Sequence, residues 1–187
     1  MRFVFLFLLS ISFNAEAAIE SLNNSEISNL ENYVFSEDGE FNKKWKMVYQ
    51  VAISKNPIDS VEFLNRCINS KVWYLQSAAL KSFNKLYPQK GLVKAREVLT
   101  DSPSLIVRTE AVKYIQQHGS EDDIQALFEA LKNPKNFRGR YSLWIRPALA
   151  KAIDHLDKKN SSTEQWKKLR HDSDKVVRKM ARRQSSF

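Results

Sequence analysis

Three histidines, His118, His155 and His171, and one cysteine, Cys67, are the side chains with which this 187-residue chain would hold a metal or make a nucleophile. Their spacing fits neither an HExxH nor a CxxC pattern, so no metal site is expected. The four glycines are scattered, which leaves no phosphate-cradling loop, and there is no GxSxG elbow. No residue is assigned a catalytic, cofactor-binding or metal-ligating role, and the expectation is a protein that is not an enzyme and carries no cofactor.

The residue types that do cluster belong to binding chemistry. In "RGRYSLWIR", residues 138–146, Tyr141 and Trp144 stand among Arg138, Arg140 and Arg146. Aromatic faces beside guanidinium groups suit a stacking and anion-contact site or a protein-interface anchor. A second aromatic pair, Trp73–Tyr74, lies farther upstream.

Cations also recur at one register. Leu75-Gln76, Val107-Arg108, Ile145-Arg146 and Val177-Arg178 start segments that place an alanine or leucine four residues after the first member of each pair. A cation follows six residues after that member: Lys81, Lys113, Lys151 and Arg183. At about 100° per residue the apolar positions form one face, the arginine of the pair lies at its edge, and this later cation points nearly opposite. Arg108, Arg146 and Arg178 are therefore assigned to the scaffold, bonding the preceding turn or a neighbouring segment. Lys81, Lys113, Lys151 and Arg183 are candidates for partner binding.

Net charge is +9, and from residue 135 to 187 there are 15 Lys or Arg against 5 Asp or Glu. The positive charge thus sits in the C-terminal part, where Lys175 and Lys179 join Arg178, Arg182, Lys167, Lys168 and Arg170. Such a surface attracts acidic partners or polyanions.

The elements that must position these groups are helical. The registered segments follow one another at intervals of 32, 38 and 32 residues, a period typical of helical repeats. A second amphipathic pattern precedes each of the first three: Ile58, Val61, Phe63, Leu64 and Ile68; Leu92, Val93, Ala95, Arg96, Val98 and Leu99; Ile124, Leu127, Phe128 and Leu131. Ser120 is placed to cap the third, with Glu121, Asp122 and Asp123 at the positive end of its dipole. The longer middle interval is a loop insertion, residues 133–142, marked by Pro134 and Gly139. Upstream, Trp45, Val48, Tyr49, Ala52 and Ile53 mark one side of a further helix, preceded by a weak one in "EISNLENYVF". The last helix, with Arg182 at a position that is apolar in the other units, is expected to be a poor core former.

The pairing of a polar or acidic turn residue with an apolar-Arg pair, as in Asp172 and Val177-Arg178, resembles HEAT repeats over about residues 57–183. Ser102 holds the corresponding place before Val107-Arg108, and Ser70 before Leu75-Gln76, where the arginine is absent. The resemblance implies an all-α fold, a short right-handed α-solenoid of antiparallel helix pairs, with residues 18–56 as an N-terminal helical cap or half repeat and 57–187 as the repeat array. It also implies that the second helix of each pair lines a concave face, which would carry Lys81, Lys113, Lys151 and Arg183 as a basic ladder. Some small basic helical-repeat proteins that resemble HEAT arrays excise alkylated bases from DNA, and Tyr141, Trp144 and Asp154 would be the counterparts of their groove.

"MRFVFLFLLSISFNAEAAIE" has a basic start, an apolar run and an A-x-A spacing, the pattern of a secretory signal cleaved after about Ala17. Export into a periplasmic or extracellular space is expected, with no lipid-bearing cysteine and no membrane span after cleavage. Export disfavours the DNA-repair reading. Cys67 is expected to be a small core residue, since one thiol forms no internal disulfide. The functional expectation is an adaptor, inhibitor or immunity-type scaffold that binds an acidic protein. A binder of an anionic polymer, whether nucleic acid, lipopolysaccharide or wall polymer, is the alternative.

Overall fold

The computed structural model describes residues 22–159 and 161–184; the signal-like segment and the final "SSF" lie outside them. The fold is all-α, 76% helix with one small antiparallel sheet. The helices are α1 (Asn24–Phe35), α2 (Phe41–Ser54), α3 (Pro57–Asn69), α4 (Trp73–Leu86), α5 (Pro88–Asp101), α6 (Leu105–His118), α7 (Ile124–Lys132), α8 (Ile145–Leu156), α9 (Thr163–Lys167) and α10 (Lys175–Gln184). None among the described residues is long and apolar enough to cross a membrane.

Local chemistry starts and stops these helices. Asn23 and Glu26 form a capping box on α1, Asn56 and Pro57 open α3, and the Ser104 hydroxyl accepts from Val107 N to open α6. Ser120 does cap, but the acidic triplet Glu121–Asp123 forms a 3-10 turn and α7 begins only at Ile124. Asp123 closes that turn on the Ser120 amide and takes a bidentate pair from Arg96, at 2.6 and 3.0 Å.

Packing follows an alternating scheme. Each even-numbered helix packs on the odd one before it and on the next even one, giving the chains of contact α2·α4, α4·α6, α6·α8 and α8·α10. The even helices are parallel. Phe41 and Trp73, at the starts of α2 and α4, are 6.1 Å apart; Asn84 and Gln117, near the ends of α4 and α6, are joined by a 3.2 Å hydrogen bond. Buried between the layers lie the registered apolar residues Leu75, Ala79, Leu80 and Phe83; Val107, Ala111, Val112 and Ile115; Ile145, Leu149, Ala150 and Ile153; and Val177 and Ala181. Cys67 is fully buried, which pushes its thiol up to about 12 despite the opposing Arg66 charge.

Some positions differ from the periodicity. Ile58 (78% exposed) and Val93 (52%) face solvent rather than the core. On α2 the buried set is Lys44, Val48, Val51 and Ala52, while Ile53 is exposed and Trp45 and Tyr49 are half-buried. The buried Lys44 ammonium donates to the Ser36 carbonyl and lies 5.6 Å from the Tyr33 ring centre, so its charge is directed into the preceding turn. The helix preceding α10 shrinks to five residues, and Lys168 and Arg170 fall in the turn after it. Its Trp166 remains buried, edge-on to Phe128 at 5.2 Å.

The insertion is an ordered element rather than a plain loop. Pro134–Asn136 forms a 3-10 turn, and β1 (Phe137–Arg138) pairs with β2 (Tyr141–Ser142) through a two-residue turn. Gly139, at φ +59°, supplies the left-handed backbone that such a hairpin needs at its first turn position.

Candidate functional site

Two sets of cations emerge, and they behave differently. The first lies at the start of the even helices, with Arg108 and Arg146 buried and Arg178 partly exposed. Arg146 (1% exposed) donates from Nε to the Leu131 carbonyl at 2.9 Å and grips the Asp172 carboxylate with both terminal nitrogens, at 2.9 and 2.6 Å. Its guanidinium also lies 4.2 Å from the Phe137 ring centre, at the base of the hairpin. Arg108 donates to the Ser102, Pro103 and Lys135 carbonyls and to Asn136 Oδ1. Arg178 reaches back to the carbonyls of Asp172 and Ser173.

Gln76 does the same work without a charge. Its amide donates to the Ile68 and Ser70 carbonyls at 2.9 Å, and its oxygen accepts from the Ser102 hydroxyl at 3.2 Å. The contacts Gln76–Ser102, Arg108–Asn136 and Arg146–Asp172 therefore tie each turn to the next. Burial alone would raise the Asp172 carboxyl. Hydrogen bonds from Arg146 and the Asp174 amide, with the charges of Arg146 and Arg178, outweigh it and hold the group below the usual carboxylate range.

The second set faces solvent on α4, α6, α8 and α10. Lys81, Lys113, Lys151 and Arg183 are all exposed, on helices about 8–10 Å apart. Three of the four carry local partners. Lys81 Nζ lies 4.9 Å from the Trp45 ring centre, Lys113 pairs with Glu110 at 3.1 Å, and Arg183 pairs with Asp154. A neighbouring cation that the register did not single out, Lys85, sits 4.9 Å over Tyr49. The positive field of these side chains is partly neutralised by Glu110 and Asp154.

The hairpin brings a different group together. Tyr141 (66% exposed) and Trp144 (60%) project beside exposed Arg138 and Arg140, and the Arg140 guanidinium lies 5.6 Å from the Tyr141 ring centre. Neither arginine forms an ion pair among the described residues. The hairpin is fixed from below: buried Asn136 donates to the Ala130 carbonyl at 2.7 Å while accepting from Arg108.

Apolar exposure continues along the same edge of the molecule, where the even helices begin. Phe41 (49%), Trp73 (41%), Ile106 (44%) and Val176 (37%) occupy the first or second positions of α2, α4, α6 and α10. Sequence reasoning did not single out Phe41, Ile106 or Val176, which lie outside the apolar positions it registered. Their position in the first helical turn, before or beside the registered pair, is the signal that places them at the edge. Phe41 and Trp73, with Asn42, Trp45 and Lys46, line an open recess of about 400 Å³.

Lys175 and Lys179 are exposed on α10. Trp144 and Asp154 stand at opposite ends of α8, about 15 Å apart along its axis, and Asp154 is engaged by Arg183 and Gln184. They do not converge on one base-sized pocket. No cluster of three His, Cys, Asp or Glu able to hold a metal occurs among the described residues. No protein-family model matches the chain, and no curated protein or solved structure does so either.

Proposed function

We propose that this chain is a short, right-handed, HEAT-like α-solenoid, exported and non-enzymatic, that works as an adaptor, inhibitor or immunity-type module binding an acidic protein. Support for the solenoid comes from the parallel stacking of the even helices and the turn-to-turn contacts of Gln76, Arg108 and Arg146. In this reading the even helices line the concave face, so Lys81, Lys113, Lys151 and Arg183 steer an acidic partner toward it. Exposed charges of this kind raise the encounter rate and select the partner, while desolvated aromatics hold it.

The observation that carries the binding role is the pair Tyr141, on the anchored hairpin, and Trp144, at the start of α8, both more than half exposed near two exposed arginines. Large exposed aromatics held in place lose little entropy on association. Crosslinking and mass spectrometry of the tagged protein, expressed with its own leader, provide the test. One stoichiometric acidic protein, linked through Lys81, Lys113, Lys151 or the hairpin, is the expected result. Recovery of nothing but salt-labile polyanion removes the proposal.

The second reading, an anionic-polymer binder, draws on exposed Lys175 and Lys179 at the basic C-terminal end. It requires affinity that falls steeply with salt, because each phosphate contact releases a counterion.

A further inference from the structure

The edge formed by the starts of the even helices combines three features that the basic ladder lacks. It presents a row of exposed apolar side chains, running from Phe41 and Trp73 through Ile106 to Trp144 and Val176. Three of its five helices, α2, α4 and α8, have no side-chain cap, and those are the ones starting at or beside exposed Phe41, Trp73 and Trp144. Trp144 itself occupies the N-cap position of α8, where a Ser, Thr, Asp or Asn would stabilise the helix by about 1 kcal/mol, so helix stability does not explain that aromatic; at α2 and α4 the uncapped positions are Glu40 and Val72. The third feature is a charge gradient along the row. Glu37, Asp38 and Glu40 are exposed beside Phe41, with Glu40 paired to Lys43 and with Lys46 lining the recess, whereas Arg138, Arg140 and Lys175 are exposed toward Trp144 and Val176.

We propose that this edge docks an extended segment of the partner protein whose one half bears carboxylates and whose other half bears bulky apolar side chains. The carboxylates lie against Arg138, Arg140 and Lys175, and an apolar side chain fills the recess between Phe41, Trp45 and Trp73. The proposal rests on the protein-binding reading above and adds to it the surface, the partner's chemistry and the direction of the bound chain. Five helices at about 8–10 Å spacing make a row of about 32–40 Å, which an extended strand of about 10–12 residues spans.

Two other occupants are outcomes of the test. A second copy docked antiparallel, as in a two-fold interface, would set Glu37, Asp38 and Glu40 against Arg138 and Arg140, so self-association is measured separately. An anionic membrane surface would match the aromatics and arginines, but it would meet the acidic α1–α2 turn and would leave the concave recess by Trp73 unfilled.

The test uses the purified protein and a phage-displayed library of random peptides of about 16 residues. Selected peptides are synthesised and measured by fluorescence anisotropy. The expected winners carry Asp or Glu in one half and Phe, Trp, Leu or Ile in the other. Their affinity drops by about tenfold or more in Tyr141→Ser/Trp144→Ser and in Arg138→Glu/Arg140→Glu, and changes by less than about twofold in the control Lys90→Glu, exposed on the odd helix α5. A photo-crosslinker at the acidic end should label the hairpin, and one at the apolar end α2 or α4.

Because the substituted side chains are exposed, thermal melts of these variants should match the parent, and Tyr141→Phe should retain binding. Winners that ignore the edge variants but weaken in Lys113→Glu and Lys151→Glu would overturn the edge and leave the binding module intact. Trp144-dependent self-association in the ultracentrifuge, or Trp144-dependent binding to phosphatidylserine vesicles, would assign the edge to a second copy or to a membrane and so also overturn it. If no peptide is enriched and only heparin binds, both readings fail.

Discussion

Arg140 and Arg146 are six residues apart, in the same arginine-rich stretch, yet one is exposed at a hairpin tip and the other is 1% exposed with its guanidinium fully engaged. The first is stacked on Tyr141 and faces water; the second joins Leu131, Phe137 and Asp172 across two turns. The contrast separates the scaffold's charge from the charge left for a partner. A buried arginine needs all of its donors satisfied and its countercharge held in place, so it is unavailable to a ligand. An exposed one keeps its donors for whatever arrives.

The comparison breaks most visibly at Arg146. Removing it in Arg146→Ala strips Asp172, 10% exposed at its side chain, of its bidentate partner and leaves only the Asp174 amide and the more distant Arg178 charge to offset it. The expected loss is about 3–5 kcal/mol of unfolding free energy by urea denaturation. Arg146→Lys should recover only part, because an ammonium cannot hold both carboxylate oxygens and the Leu131 carbonyl in one fork. If Arg146→Ala unfolds at the parent's urea midpoint, the scaffold assignment of this row is wrong.

A smaller loss tests whether charge matters to the row at all. Gln76→Ala should cost about 1–3 kcal/mol, the range for buried polar groups left without partners. Since Gln76 already serves one turn while neutral, Arg108→Gln should lose less than Arg108→Ala in the same assay.

Acid sharpens the distinction further. Asp172 is held below its ordinary value, so its contribution is complete above the unfolded carboxylate range, about pH 4, and disappears as pH falls through the lower folded value. The urea midpoint should therefore fall on acidification below about pH 4, and Asp172→Asn, although less stable at neutral pH, should show a flatter profile there.

The outward cations should give the smallest effects. Lys113→Ala and Lys151→Ala are expected to stay within about 0.5 kcal/mol of the parent. Lys81→Ala should lose about 0.5–1 kcal/mol through its contact with Trp45. Melting curves read all three. A large loss at Lys151, which has no partner among the described residues, would move that side chain into the scaffold set.

Much of this was legible in the sequence because helix geometry is local. Spacing alone put Val107, Ala111, Val112 and Ile115 on one buried face, separated Arg108 from Lys113 by their angular positions, and marked the insertion by Pro134 and Gly139. Caps such as Ser120 were legible for the same reason, since a hydroxyl can reach only the amides of the next few residues. It determined an all-α chain with its helices in the right order and four cations at one outward register.

Tertiary structure decided what that register could not. Whether a cation is free depends on which carboxylate or ring the neighbouring helix delivers, Asp154 from α8 for Arg183 and Trp45 from α2 for Lys81, whereas Glu110, three residues before Lys113 on the same helix, is set by local spacing. Gln76 could not be identified as a substitute for arginine until the Ile68 and Ser70 carbonyls and the Ser102 hydroxyl were seen to converge on it. Phe41, Ile106 and Val176 have core-like chemistry. They are exposed because the parallel stacking of α2, α4, α6, α8 and α10 leaves the helix starts at an edge with no further layer to cover them.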